Sequence, residues 1–125
     1  MTRTGFAAAA LYALTISPAE AQDAAAGQKA FNAKCKTCHT VDKGGKNLVG
    51  PNLHGVFGAK AAGKEGFAYS DAMKNSGIVW DEQNVREYVA DPKKRVPENK
   101  MAFVGIKRES ELSDIVAYLK AATSK

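Results

Sequence analysis

Cys35-Lys36-Thr37-Cys38-His39 is a C-x-x-C-H run, and it constrains this chain more than any other feature of its 125 residues. Two thiols two residues apart, with a histidine directly after the second, match the attachment signature of a c-type haem. The thiols of Cys35 and Cys38 add across two porphyrin vinyl groups, the spacer residues set the separation of the thioether bonds, and His39 turns its ring under the iron as an axial ligand. A chain carrying this run must fold around a macrocycle.

Two other chemistries use part of the same pattern. A redox dithiol needs a βαβ context, and no Val/Ile-rich strand precedes Cys35. A structural zinc site needs four ligands. The chain has two cysteines in all, and His54 is its only other histidine. Haem is the reading that the residues complete.

The N-terminus points the same way. Arg3 precedes an apolar stretch from Phe6 to Ile16, too short to span a bilayer, and Pro18 leads into Ala19-Glu20-Ala21, an A-x-A processing site. Residues 1–21 read as a cleaved export signal, which places the protein in the periplasm. The competing reading, a short alanine-rich buried helix, lacks polar periodicity. In an oxidising compartment a close cysteine pair becomes a disulfide unless something captures it, and covalent haem is such a capture.

Residues 22–125 make one small domain with a limited core, and a buried macrocycle would supply missing apolar volume. Removing 1–21 takes away one base and one acid, so the formal charge of +5 is unchanged. No second long hydrophobic segment exists, and a soluble mature chain with no membrane span is expected. No internal repeat or low-complexity tract interrupts it.

Local pattern predicts an all-α fold with long loops. Asp23 can cap a helix to about Lys34, with Gly27 and Phe31 one turn apart. Asp81 can cap another, in which Val85, Tyr88 and Val89 form a stripe until Pro92 forbids continuation. Leu112, Ile115, Val116 and Leu119 recur at helical spacing after a cap expected at Ser110. A shorter helix fits between Ser70 and Asn75, ended by Gly77. The glycine-rich stretch 44–64 and the stretch 92–107 read as loops that wrap the haem.

The sixth iron position separates a carrier from a catalyst. Methionine and lysine are the plausible donors, and beyond the export segment only Met73 and Met101 offer a thioether. Met73 falls within the short helix, where packing is its natural role. Met101 lies in the loop after Pro97 and is the expected axial ligand opposite His39.

The segments Gly50-Pro51-Asn52-Leu53-His54-Gly55, Gly66-Phe67-Ala68-Tyr69, Gly77-Ile78-Val79-Trp80, Asp91-Pro92-Lys93-Lys94, Lys100-Met101 and Ala117-Tyr118-Leu119-Lys120 follow the haem motif in order. With Gly27 and Phe31 before it, they resemble a class I c-type cytochrome, close to the bacterial cytochrome c2 and mitochondrial cytochrome c group. The resemblance covers nearly all of 22–125. It implies a small cytochrome c fold with crossed terminal helices, in which Gly27, Phe31, Ile115 and Tyr118 form the crossing. It further implies that the Pro51 carbonyl accepts the Nδ1 proton of His39, that Tyr69 and Trp80 donate to a haem propionate, that Tyr88 donates to the Met101 sulfur, and that Phe103 packs at the haem edge.

The chain also departs from that family's pattern. Ala59 stands where an arginine often offsets propionate charge, and Met73 where many members have asparagine. Glu98-Asn99 replaces a frequent Gly-Thr, which puts a non-glycine residue where positive φ is expected. Asn99 keeps an amide that could donate to a propionate.

The implied function is one-electron transfer between membrane redox complexes, from a quinol:cytochrome c oxidoreductase-type donor to a reaction centre or terminal oxidase, by a monomer that is not an enzyme. Lys34, Lys36, Lys93, Lys94, Lys100, Lys107 and Arg108 lie near the haem edge in the family arrangement and would steer it to acidic docking surfaces. A haem enzyme would need an open sixth position and a distal acid-base group. His54, the one spare histidine, follows Pro51 on the proximal side. Nucleic-acid binding has neither a reading helix nor aromatic-basic interleaving behind it.

Overall fold

Asp23 starts the first helix by accepting hydrogen bonds at Oδ1 from the amides of Ala25 and Ala26, at 3.0 and 3.1 Å. Such a cap satisfies donors that the first turn leaves without partners. The computed structural model describes residues 4, 5, 7–11 and 23–125. Helix α1 runs over Ala24–Lys34, α2 over Asp71–Lys74, α3 over Glu82–Ala90, α4 over Pro92–Arg95 and α5 over Glu109–Thr123. Most of the expected export segment lies outside the described residues. No strand forms among those described; an isolated bridge pairs Lys60 with Val79. None of their helices is long and apolar enough to cross a membrane.

Two further caps follow the sequence pattern. Ser70 accepts from the Met73 amide at 3.0 Å and Asp81 from the Asn84 amide at 2.7 Å. Gly77 follows α2 at φ +67°, the left-handed conformation that glycine adopts without a Cβ penalty.

The terminal helices cross, as expected. Phe31 and Ile115 are buried, and the Phe31 and Tyr118 rings lie 5.4 Å apart between centroids. Gly27 lets the backbones touch: a Cβ there would stand 1.9 Å from the Asp114 carbonyl oxygen. The Asp23 amide donates to Asp114 Oδ1 at 3.0 Å, pinning the start of α1 to α5.

Two local expectations are corrected. Ser110 is not the cap of the last helix; α5 begins at Glu109 behind Arg108, which supplies no side-chain cap. Arg86 and Arg108 instead pair with Glu109 and Glu111 in the first turn. The stretch 92–107 is not all loop either. Pro92 ends α3 and also opens α4, because proline at a first helical position forgoes an N–H that would have had no partner. Asp91 caps this turn by accepting from the Lys94 amide at 3.3 Å.

Glu98 has φ +67°, so the positive φ anticipated there is held by a residue with a Cβ. The left-handed conformation costs an L-residue about 1–2 kcal/mol, partly offset by glycine's larger loss of chain entropy, about 0.5–1 kcal/mol. Glu98→Gly is therefore expected to stabilise the protein by roughly 0.5–1 kcal/mol. A higher urea midpoint at unchanged slope is the check, and an unchanged or lower midpoint would mean that the Glu98 side chain offsets its own strain.

Candidate haem site

The C-x-x-C-H run is wound as a continuation of α1. The Cys35 and Lys36 amides donate to the Phe31 carbonyl, and the Cys38 and His39 amides donate to Cys35 O at 3.0 and 2.9 Å. The far side of the turn is tied by the Gly50 amide donating to Cys38 O at 2.8 Å. Both thiols are free and partly exposed. Burial pushes the Cys35 thiol up to about 11, with Lys34 opposing and Cys38 adding to the rise. A thiol disulfide oxidoreductase needs the opposite, an acidic nucleophilic cysteine.

His39 Nδ1 lies 2.8 Å from the Pro51 carbonyl oxygen. A carbonyl only accepts, so Nδ1 carries the hydrogen and Nε2 is left with its lone pair, the form that binds a metal. Burial holds the His39 pKa below its ordinary value, opposed by the Pro51 bond, which keeps the ring neutral at neutral pH. Gly50 sets the ring's position from one side, since a Cβ there would fall 2.3 Å from His39 Cε1. In the sequence Gly50 stands only as part of a motif, and nothing local signals this contact across the loop.

Asn52 is a second residue whose work was not foreseen. It is buried, donates from Nδ2 to Thr40 Oγ1 at 2.7 Å and to Asp42 O at 2.9 Å, and accepts at Oδ1 from the His54 amide. The segment just after His39 is thereby fastened to the segment carrying Pro51. Its signal in the sequence was only its place between Pro51 and Leu53.

The apolar interior falls into two groups. Phe31, Val85, Ile106, Leu112, Ile115, Val116 and Leu119 form one, with Cys35, Leu53, Phe57 and Phe103 partly buried against it. Met73, Ile78 and Val96 form the other, flanked by Tyr69 and Tyr88. Trp80 packs on both, and its ring lies 5.2 Å from that of Tyr88. Met73 is thus a core residue, as its helical position suggested.

Tyr69 Oη accepts from the Lys64 amide at 3.1 Å, and its own hydroxyl hydrogen stays free to donate. Burial pushes the Tyr88 phenol up to about 12, so it too keeps its hydrogen at neutral pH. Asn99 behaves differently from the expectation. Both its amide hydrogens go to backbone carbonyls, Pro92 O at 2.9 Å and Val96 O at 2.8 Å, which leaves none for a propionate. Ala59 joins the bridge region, with its carbonyl accepting from the Trp80 amide at 2.8 Å.

Several of the basic residues already have protein partners. Lys34 pairs with Glu111, Lys93 Nζ donates to Asn99 O at 2.7 Å, Lys107 Nζ donates to Ala90 O at 2.8 Å, and Arg108 lies 2.9 Å from Glu111. Lys36, Lys94 and Lys100 are exposed.

The donor set fits a covalent haem c: two free thiols on one turn, a neutral imidazole with one nitrogen fixed and the other bare, and partly buried aromatic side chains in both apolar groups. Comparison with known proteins agrees. The cytochrome c family model matches residues 24–123. Relatives include cytochrome c2 of Blastochloris viridis, 52% identical over 108 residues, or 86% of this chain and 84% of that protein. Cytochrome c of Theileria parva is 48% identical over 103 residues, 82% of this chain and 89% of that protein. Cytochrome c of Ginkgo biloba is 43% identical over 111 residues, 89% of this chain and 98% of that protein. By this family match and these relatives, the chain belongs to the cytochrome c family and carries one covalently bound haem c.

Proposed function

We propose that this protein is an exported one-electron carrier, shuttling between membrane redox complexes through a haem whose iron is held by His39 and Met101. The observation that carries the reading is the His39 Nδ1 to Pro51 bond at 2.8 Å, which commits the ring to a single tautomer and leaves its other nitrogen with the lone pair that an iron would need. The bound haem supplies a reversible change of iron oxidation state. The chain's own residues would hold that group. Cys35 and Cys38 would tether it, Phe103 would pack at its edge, Tyr69 and Trp80 would donate to a propionate, and the Tyr88 hydroxyl would donate to the Met101 sulfur.

His54 Nδ1 is buried with no hydrogen-bond partner among the described residues, and the His54 carbonyl is taken by Lys64 Nζ at 2.8 Å. Residues 1–21 remain assigned to export and 22–125 to the mature domain, in the periplasm. The acidic dock of a reaction centre or terminal oxidase is the partner surface that suits a chain with charge +5.

The test is kinetic. If basic residues steer docking, the bimolecular electron-transfer rate with a membrane oxidase or reaction centre should fall steeply with salt, because the Debye length shrinks from about 30 Å at 0.01 M to about 10 Å at 0.1 M. Lys94→Glu should lower the association rate more than Lys125→Glu, and Lys34→Glu should also do so while breaking its pair with Glu111. Equal effects at Lys94 and Lys125 would mean that net charge alone matters. A rate indifferent to salt would reject steering.

A further inference from the structure

Asn99 is buried, 4% exposed, and every polar group it has is bonded within the segment 92–101. Its side chain donates to Pro92 O and Val96 O, its backbone amide donates to Val96 O at 3.2 Å, its carbonyl accepts from Lys93 Nζ, and its Oδ1 accepts from the Met101 amide at 2.8 Å. The positive φ of Glu98 turns the chain back so that Asn99 lies beneath α4. Helix α4 is itself anchored to α3, since Arg95 Nη2 donates to Asn84 Oδ1 at 2.9 Å and Arg95 Nε lies 3.2 Å from Glu87.

The geometry points to Asn99 as a positioning residue, a brace that transmits the rigidity of α3 and α4 to the backbone of Met101 and so controls how readily Met101 gives way to another ligand. A continuous set of bonds runs from α3 through Arg95, α4 and the Asn99 amide to the Met101 N–H. Only one amide plane joins the last two links. The Phe103 amide donates to Met101 O at 2.9 Å, a bond within the same loop. Losing the Asn99 side chain thus removes the bonds to Pro92 O, Val96 O and the Met101 N–H, while the main-chain bonds of residue 99 to Val96 and Lys93 stay. The consequence for ligand exchange rests on Met101 being the sixth ligand; the bracing itself does not.

Two measurements on the haem-loaded protein separate these claims. Amide hydrogen exchange at Met101 reads the brace directly. Asn99→Ala should speed it roughly tenfold to hundredfold, the loss expected for a buried hydrogen-bond network, while amides in α1 and α5 change much less. Cyanide binding to the ferric protein reads the ligand, and Asn99→Ala should speed it by a similar factor. Asn99→Asp keeps the acceptor for the Met101 amide but sets a carboxylate oxygen against two carbonyls, so it too should speed both processes. Ile115→Val, far from the loop in the helix crossing, is the control for general destabilisation. Were Asn99→Ala to move Met101 exchange no more than Ile115→Val does, the brace would be overturned. Faster Met101 exchange with an unchanged cyanide rate would keep the brace and refute its control of ligand exchange. Met101→Ala then separates the cause: if it too leaves the cyanide rate unchanged, the ligand assignment has failed instead.

Discussion

Gly27→Ala should cost this protein about 3 kcal/mol or more, a large share of the roughly 5–15 kcal/mol that holds a domain folded. An ideal Cβ at residue 27 lies 1.9 Å from Asp114 O, 2.5 Å from Asp114 C and 2.9 Å from Tyr118 Cβ. The first two are backbone atoms inside α5 and cannot swing aside as a side-chain tip could. Relief must come from parting α1 and α5, and that uncovers Phe31, Ile115 and Val116, which are 3%, 0% and 1% exposed. Each such side chain is worth about 1.5–3 kcal/mol when fully buried, so partial exposure of three outweighs the better helix propensity of alanine, about 1 kcal/mol. At roughly 4–8 °C per kcal/mol for a domain of this size, the melting temperature should fall by more than about 12 °C. Gly27→Val should do at least as much harm. A Gly27→Ala protein within 1 kcal/mol of the parent in urea unfolding would show that the crossing has slack that the structure lacks.

The same crossing shows what was legible in the sequence. Gly27 and Phe31 one turn apart, set against Ile115 and Tyr118, carry their meaning in spacing and in the family resemblance. Caps were legible for a related reason: Asp23 and Asp81 each bond to amides two or three residues on, so cause and effect share one short window. Where the start of a helix depends on distant partners the reading failed. Glu109 opens α5 beside Arg86 of α3, and Ser110 looked like the cap only because a local rule was applied to a non-local junction. Pro92 was half read: its missing N–H forbids α3 to continue, and for the same reason suits the first position of α4.

The site divides along the same line. Cys35, Cys38 and His39 are contiguous and declare their chemistry outright, whereas the position of the His39 ring is set by Gly50 and Pro51 across a loop closed by Asn52. Asn99 was read from the resemblance as a possible propionate donor. Its amide turns the other way because Glu98, at positive φ, folds the chain beneath α4, and that reversal depends on how two loops meet.

Met101→Ala should change the protein's spectrum and potential more than any other single substitution. A thioether is a soft donor that favours ferrous iron and raises the potential of a haem also bound by histidine. Removing it should abolish the far-red ferric charge-transfer band, open the iron to carbon monoxide or cyanide, and lower the midpoint potential. The fold should survive, because Met101 is only partly buried and belongs to neither apolar group. Met101→His should give a stable protein with a second nitrogen ligand and a lower potential. Met73 is the sole rival thioether beyond residue 21. Its side chain is 8% exposed and packs with Ile78 and Val96, so Met73→Leu, which nearly conserves volume, should cost less than about 1.5 kcal/mol and leave the far-red band in place. The pair of variants is decisive: a band that survives Met101→Ala and disappears in Met73→Leu would transfer the ligand to α2.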